Sequence, residues 1–537
     1  MRVDPFGRKG DFITSPEVSQ VFGELVGIWL VTEWMAQTQS PKRLRSQTST
    51  GRTANIESDL MVQLVELGPG RGTLMADILR TVAGFKTFAA SIEGVYLVEA
   101  SETLRESQRQ TLCGDDAPMT RTETGWQSLS KAFGDRTLPI VWVEDISLLP
   151  KPRHAHAMPL IVAHEFLDAL PIHVFEAVPT MAAQGSSDHN HKPTSRLGGS
   201  SDKRQDPLSL ASGQQSSVAG AEWRELLVDS SPPVEDPSQL SASPILTQEE
   251  MEKADGGKQE KLPPPDFHFV RSKSATPISH VLTNSSPRYR ALLSQPGSVI
   301  EISSESQSCV SGFAQRIGKG KQSLNPSFPI TPNNKPHSTI ESKTNRLPSG
   351  AALIIDYGTE TIPRNTLRAI KSHRRLASPF ILPGQADISA DVDFTALAEA
   401  ASLSDTGVEI WGPVPQGQFL HVMGGQERVE NLCQAVMRDG DDSRTPSGRA
   451  RGEQQQQRKR EEDRVESEKE EENEKEGKER ARRKDAIQAG WKRLVDMSEA
   501  TAGSGGGMGR IYKVMAIVPD SGGRRPPVGF GGGVVGG

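Results

Sequence analysis

Residues 61–73 read M-V-Q-L-V-E-L-G-P-G-R-G-T. An apolar run, Met61, Val62, Leu64, Val65 and Leu67, enters a turn built on Gly68, Gly70 and Gly72. The chain leaves that turn into Leu74, Ile78, Leu79 and Val82, apolar at helical spacing. The pattern is strand, glycine loop, helix. Residues without Cβ let the backbone turn this sharply and let a ligand lie against the main chain, so a flat, polar ligand is expected here.

Two ligand classes use such a turn, and spacing separates them. Dinucleotide-binding proteins favour Gly-x-Gly-x-x-Gly, which opens a helix N-terminus toward a pyrophosphate. In this chain the third glycine comes one position early, and Glu66 stands two residues before the first. A carboxylate beside the loop repels phosphate and attracts an ammonium or sulfonium group. S-adenosylmethionine carries both cations and no phosphate. The next apolar run, residues 94–99, ends in Glu99, an acid suited to two ribose hydroxyls. The competing reading is a tight strand-to-helix turn with two incidental acids.

Further runs extend the pattern. Residues 138–145 end in Glu144 and Asp145, residues 159–165 end in Glu165, and residues 351–358 form a fifth strand. Near-continuous apolar strands alternating with helical segments predict a parallel α/β sheet covered on both faces. Ser15-Pro16-Glu17 reads as a helix start, followed by Val18, Val21, Phe22, Leu25, Val26, Trp29 and Leu30 at helical spacing. Residues 37–59 read as a polar linker, 102–112 as a helix, and 113–137 as a polar stretch.

Composition bounds the rest. Hydrophobic residues make up 35% of 537 and aromatics 5%, too few for every segment to bury a core. The deficit is assigned to Ser-, Pro-, Gln- and Gly-rich stretches at 179–220, 230–265 and 318–349, expected to be disordered insertions in loops. The charged run 458–484 has no heptad seam. With 62 basic and 68 acidic residues, the net charge of −6 offers no field to recruit nucleic acid. Cys113, Cys309 and Cys433 lie too far apart in sequence for a zinc site or disulfide framework. No run of ~18 or more apolar residues spans a membrane, and no presequence or signal is visible.

Several segments together are similar to one family. They are G-D-F-I-T-S-P-E-V-S-Q-V-F-G-E (10–24), V-E-L-G-P-G-R-G-T-L (65–74), A-H-E-F-L-D-A-L-P (163–171) and A-D-I-S-A-D-V-D-F (386–394). Shorter matches are W-R-E-L-L-V-D (223–229), G-P-V-P-Q-G-Q-F-L (412–420) and M-G-R-I-Y-K-V-M (508–515). The chain thereby resembles the mitochondrial protein-arginine methyltransferase family that assists assembly of respiratory complex I, with its bacterial relatives. The resemblance implies a class I S-adenosylmethionine-dependent methyltransferase fold, a Rossmann-like sheet with helices on both faces, carrying an inserted smaller subdomain. It implies a mitochondrial matrix location and symmetric dimethylation of an arginine on a complex I core subunit. Relatives continue N-terminally past Gly10, so the chain is expected to be shortened there.

The domain reading is accordingly an N-terminal helix (1–36), a cofactor-binding core (61–178), an inserted substrate-side segment (179–349) and completion of the core (350–440). A charged insert (441–484), a C-terminal helix and last strand (485–518) and a Gly-rich tail (519–537) follow. Expected cofactor residues are Glu66, Gly68, Gly70, Gly72 and Glu99, with Asp145 at the adenine in the position this fold uses; the resemblance implies that residues 10–17 lie over the cofactor, the competing reading being a helix entry only. Expected catalytic residues are Glu165 and Asp168, because open α/β sheets bind ligands beyond the carboxyl ends of their strands. An enzyme methylating arginine must hold a planar guanidinium and accept its charge as a proton leaves, and two carboxylates do both. The competing readings are an acid capping a turn and one facing water. Two other functions remain open at this point: a nicotinamide- or flavin-dependent oxidoreductase, and a catalytically silent complex I assembly chaperone.

Overall fold

Val62, Leu64 and Leu67 are fully buried in a strand covered on both faces, Met61–Leu67 (β1), in keeping with their apolar, partly β-branched sequence. The computed structural model describes residues 13–38, 61–150, 157–180, 220–230, 265–318, 349–372, 374–403, 406–438, 455–499, 506–520 and 526–531. By compactness these fall into two units, the smaller made of residues 173–244 and 267–302.

The larger unit is built on a ten-stranded sheet. Chain order gives helices Ser15–Val18 (α1) and Gln20–Thr38 (α2), β1, helices Thr73–Val82 (α3) and Lys86–Ser91 (α4), then Ile92–Val98 (β2) and helix Glu102–Cys113 (α5). Strands Thr120–Arg121 (β3), Trp126–Phe133 (β4), Arg136–Val143 (β5) and Ala157–His164 (β6) follow. β5, β2, β1 and β6 are parallel neighbours in that order. The chain therefore steps from β1 through β2 to β5 on one side and places β6 on the other. This reversal is the topological switch point at which such sheets bind ligands.

Beyond β6 lies Ala351–Thr359 (β11), parallel to it, and then Tyr512–Pro519 (β17), antiparallel to β11. Val408–Pro415 (β16) closes that edge. Helix Ser304–Ile317 (α8) and helix Phe394–Ser402 (α9) belong to this unit, with Phe313, Val310, Phe394 and Leu397 in the core beside Ile161 and Ile354. On the other face, Trp29, Phe22, Leu25, Ile78 and Trp142 pack with Leu64 and Leu353. A Cβ on Gly23 would stand 2.4 Å from Asp77 Cβ, so glycine there lets α2 lie close on α3. Three short strands, Arg368–Lys371 (β12), Arg374–Arg375 (β13) and Asp387–Ser389 (β14), form a separate sheet, and Val392–Asp393 (β15) pairs parallel to the end of β11 as the tenth strand of the large one.

The smaller unit is an antiparallel sheet of Val299–Ile302 (β10), His173–Pro179 (β7), Ala221–Asp229 (β8) and His268–Arg271 (β9), in that order, with helices Pro277–Thr283 (α6) and Pro287–Leu292 (α7). Glu176 and Arg271 make a two-pronged ion pair at 2.9 and 2.7 Å. Thr276 caps α6 with a reciprocal Ser279 bond.

The parallel α/β sheet expected from the sequence is present, and several local readings change. Residues 120–143 contain a hairpin, β4 and β5, and β4 buries Ser128 and Ser130 while Leu129 is exposed. Gln37 is no linker residue: it is buried in α2 and exchanges two 2.9 Å bonds with the Gly350 backbone. β7 belongs to the smaller unit and α8 to the larger, so the inserted segment divides at 173 and 302 rather than at 179 and 349. A helix spans Gln455–Leu494 (α10) across the 484 boundary. Within the tail, the Phe530 ring lies 5.6 Å from that of Phe419, and Val528 accepts the Trp29 indole N–H at 3.1 Å. The low-complexity stretches 181–219, 231–264 and 319–348 lie outside the described residues, as do residues 1–12.

Candidate functional site

The glycine loop leaves β1 with Glu66 buried beneath it. Burial pushes the Glu66 carboxyl up to about 8, and its Oε2 has no hydrogen-bond partner among the described residues. Gly68, Gly70 and Gly72 all have positive φ, +63°, +53° and +83°. That left-handed region strains any side-chain-bearing residue. Gly68 also lies against the Phe166 ring, where a Cβ would approach Cδ2 to 2.8 Å.

Glu99, just past β2, accepts the Ser101 amide at 2.8 Å on Oε1 and the Gln108 amide at 3.1 Å on Oε2. Its carboxyl is raised by burial and lowered by these donors. Gln108 also donates to the Gly70 carbonyl at 2.7 Å and accepts the Trp142 indole at 2.9 Å. One side chain thus joins the glycine loop to the acid of the next strand. Asp145 is exposed, and its Oδ1 accepts the Ser147 amide at 2.8 Å, capping a single turn. Those Ser147 bonds hold its carboxyl below the usual range.

Glu165 and Asp168 leave the carboxyl end of β6, beside β1. Glu165 has φ +48°, an uncommon conformation for a residue with a side chain. Its amide donates to Ile355 at 3.0 Å, its Oε1 accepts the Tyr512 hydroxyl at 2.8 Å, and it receives a backbone bond from Ser15. Burial pushes Glu165 up to about 8, with Asp168 and Glu17 adding repulsion. Asp168 is held well above the usual carboxylate range by burial and by Asp356, to which it is hydrogen-bonded.

Asp356, at the end of β11, accepts the Phe166 and Leu167 amides at 3.1 and 2.8 Å on one oxygen and the Tyr357 amide at 2.9 Å on the other. Burial pushes it up to about 7 despite those three bonds. Arg368 pairs with Asp391 at 2.5 Å, faces the Tyr357 ring at 5.3 Å, and pulls against the upward shift of Asp168. Asp356, Tyr357, Tyr512, Gln108 and Arg368 were not singled out from sequence. For Asp356 the signal was visible, an acid ending the fifth apolar strand.

Segments far apart in sequence meet here. Ser15 bonds Glu165, Glu17 pairs with Arg71 of the glycine loop at 3.3 Å, and the Ala390 amide donates to the Asp168 carbonyl at 3.0 Å. Residues 10–12 of the first segment lie outside the described residues. A groove of about 480 Å³ lined by Gln426, Val429, Cys433, Gln488 and Trp491 draws on none of these residues.

Comparison with known proteins matches residues 25–414 to a family described as S-adenosyl-L-methionine-dependent methyltransferases. The chain belongs to this family. A Drosophila melanogaster relative, "Protein arginine methyltransferase NDUFAF7 homolog, mitochondrial", is 31% identical over 80% of this chain and 69% of its own. The Homo sapiens "Protein arginine methyltransferase NDUFAF7, mitochondrial" is 30% identical over 83% of this chain and 69% of its own. A solved structure from Burkholderia thailandensis, bound to S-adenosyl-homocysteine, shares 16% identity over 97% of this chain and 83% of that one, with a TM-score of 0.48. Members of the family use S-adenosylmethionine, and the residues present fit it. The unbonded Glu66 oxygen suits a cation, and a loop of left-handed glycines suits close approach without phosphate.

Proposed function

We propose that this protein is a type II protein-arginine N-methyltransferase. Its substrate is an arginine on a core subunit of mitochondrial complex I, dimethylated symmetrically in the matrix in support of complex I assembly. The names of the relatives support arginine and mitochondrion. The resemblance in residues 10–24, 65–74, 163–171 and 386–394 supports complex I and the symmetric product. The observation that carries the reading is the acid cluster, Glu165, Asp168 and Asp356, at the carboxyl end of β6 beside the switch point.

Glu66, Gly68, Gly70, Gly72, Glu99 and Asp145 would hold the cofactor. When bound, S-adenosylmethionine supplies a methyl carbon on a sulfonium, with the carbon–sulfur electron pair leaving on sulfur. Glu165 and Asp168 bind and orient the substrate guanidinium, whose fixed fork of donors matches carboxylates. A fully protonated guanidinium has no lone pair to spare, so one of its N–H protons must leave as the new bond forms. With the guanidinium beside it as countercharge, Glu165 in its charged form accepts that proton, and burial, which pushes its carboxyl up to about 8, lets it hold the proton more readily than an ordinary carboxylate would.

The test is transfer of labelled methyl from S-adenosylmethionine to an arginine-bearing complex I core subunit, followed by hydrolysis and identification of the product. Symmetric dimethylarginine is expected. Asymmetric product overturns the type, and label absent from arginine overturns the substrate.

A further inference from the structure

Tyr512 is fully buried at the first position of β17 and is paired in register with Tyr357 of β11. Its ring packs 4.0 Å from the Tyr357 ring and lies parallel to His164 at 6.5 Å. Phenylalanine would make both contacts. The hydroxyl is therefore what packing leaves unexplained, and a buried phenol needs a partner. It donates to Glu165 Oε1 at 2.8 Å and is within hydrogen-bonding reach of the Tyr357 hydroxyl.

That bond reaches the one residue of the site with a strained backbone. Glu165 at φ +48° holds a left-handed conformation that a residue with a side chain adopts only at a cost. Such a turn persists only where its surroundings fix it. Those surroundings are the Ile355 carbonyl, the Ser15 amide and the Tyr512 hydroxyl. The titratable groups set against Glu165 are Glu17 from α1, His164 beside it on β6, Asp168 beyond β6, Asp356 and Tyr357 from β11, and Tyr512 from β17. Three are acids. His164 is kept neutral by burial, which pushes it down to about 3, and both phenols are raised above their ordinary value. The near side of the Glu165 carboxyl is thus held by hydroxyl and amide donors, while a guanidinium would supply the missing countercharge.

We propose that Tyr512 is a positioning residue for methyl transfer, its hydroxyl locking the Glu165 carboxyl in the orientation that receives the substrate guanidinium, with Tyr357 backing it. This rests on Glu165 acting on the arginine. Without the hydroxyl, the charged form of Glu165 loses a donor and the carboxyl is freer to rotate, so both its titration and its aim change.

The experiment compares kcat against pH for wild type, Tyr512→Phe, Glu165→Gln and the double variant, with S-adenosylmethionine affinity on each preparation. Tyr512→Phe should keep cofactor affinity within about two-fold, slow kcat by about 10- to 100-fold, and move the rising limb of the profile up by about one pH unit. The double variant should be no slower than Glu165→Gln. Wild-type kcat and profile in Tyr512→Phe overturn the proposal. A slower rate with an unmoved limb and fully additive losses does so too, because that is the result of a packing defect. Wild-type activity in Glu165→Gln instead shows that the reading of Glu165 is wrong, and the positioning role falls with it. Should Tyr512→Phe not fold, 3-fluorotyrosine at position 512 keeps the shape and makes the hydroxyl a stronger donor. The limb should then move to lower pH, and an unmoved limb overturns the proposal.

Discussion

The Gln108 amide nitrogen lies 2.7 Å from the Gly70 carbonyl and 3.1 Å from Glu99 Oε2, so one donor group ties the glycine loop to the acid of the neighbouring strand. Its carbonyl oxygen accepts the buried Trp142 indole at 2.9 Å. Gln108→Leu keeps the bulk and leaves all three groups unbonded. Each buried group left without a partner costs ~1–3 kcal/mol. Both the thermal midpoint and S-adenosylmethionine affinity should fall, as read by scanning and titration calorimetry. Unchanged affinity with lowered stability would confine Gln108 to a packing role.

Gly68→Ala places a methyl 2.8 Å from the Phe166 ring at φ +63°. Strain of this kind costs ~1–2 kcal/mol, and the displaced Phe166 adjoins Glu165. The variant should lose S-adenosylmethionine affinity by about ten-fold or more. Gly70→Val should abolish binding, and NAD should bind neither variant nor wild type. Titration calorimetry on the three proteins suffices; tight NAD binding would remove the cofactor assignment.

Stability should fall as pH rises from 6.5 to 8.5. Glu66, Glu165 and Asp356 are pushed up to about 8, 8 and 7, all by burial first. Below their ordinary values folded and unfolded chains are both protonated and this contribution is fully present. From there up to about pH 8 the folded protein still holds protons that the unfolded chain has lost, so stability drops with rising pH and levels off once the folded groups have deprotonated. His164 works the other way, costing stability only below its ordinary 6.5, which sets the lower edge of the window. Glu66→Gln should flatten part of the slope, as should saturating S-adenosylmethionine. A thermal midpoint that is level or rising across this window contradicts the burial of these acids.

The sheet was legible because its signals are local. Apolar runs, the glycines at 68, 70 and 72, and acids at strand ends such as Glu99 and Glu165 declare themselves within a dozen residues. What joins those acids was not legible. Tyr512 meets Glu165 across 347 positions and Asp356 meets Leu167 across 189, pairings that exist only once β17, β11 and β6 are side by side. Gln108 looks in sequence like any polar residue on a helix until Trp142 and the loop surround it. β4 was missed because its buried residues, Ser128 and Ser130, are polar and its Leu129 is exposed, and Gln37 because a buried amide resembles a linker residue when its partner, Gly350, lies 313 positions away.

The proposed roles divide the acids by strand, with Glu66 and Glu99 serving the cofactor and Glu165 and Asp168 the substrate. The most direct measurement is S-adenosylmethionine affinity beside labelled-methyl transfer to an arginine-containing complex I core subunit, on the same preparations of wild type, Glu165→Gln and Asp168→Asn. Both substitutions preserve shape and remove the capacity to ionise and take up a proton. Affinity should stay within a few-fold while transfer falls by about 10²-fold or more. Normal methylation by both variants would make these acids structural, and loss of cofactor binding by both would put them on the wrong side of the site.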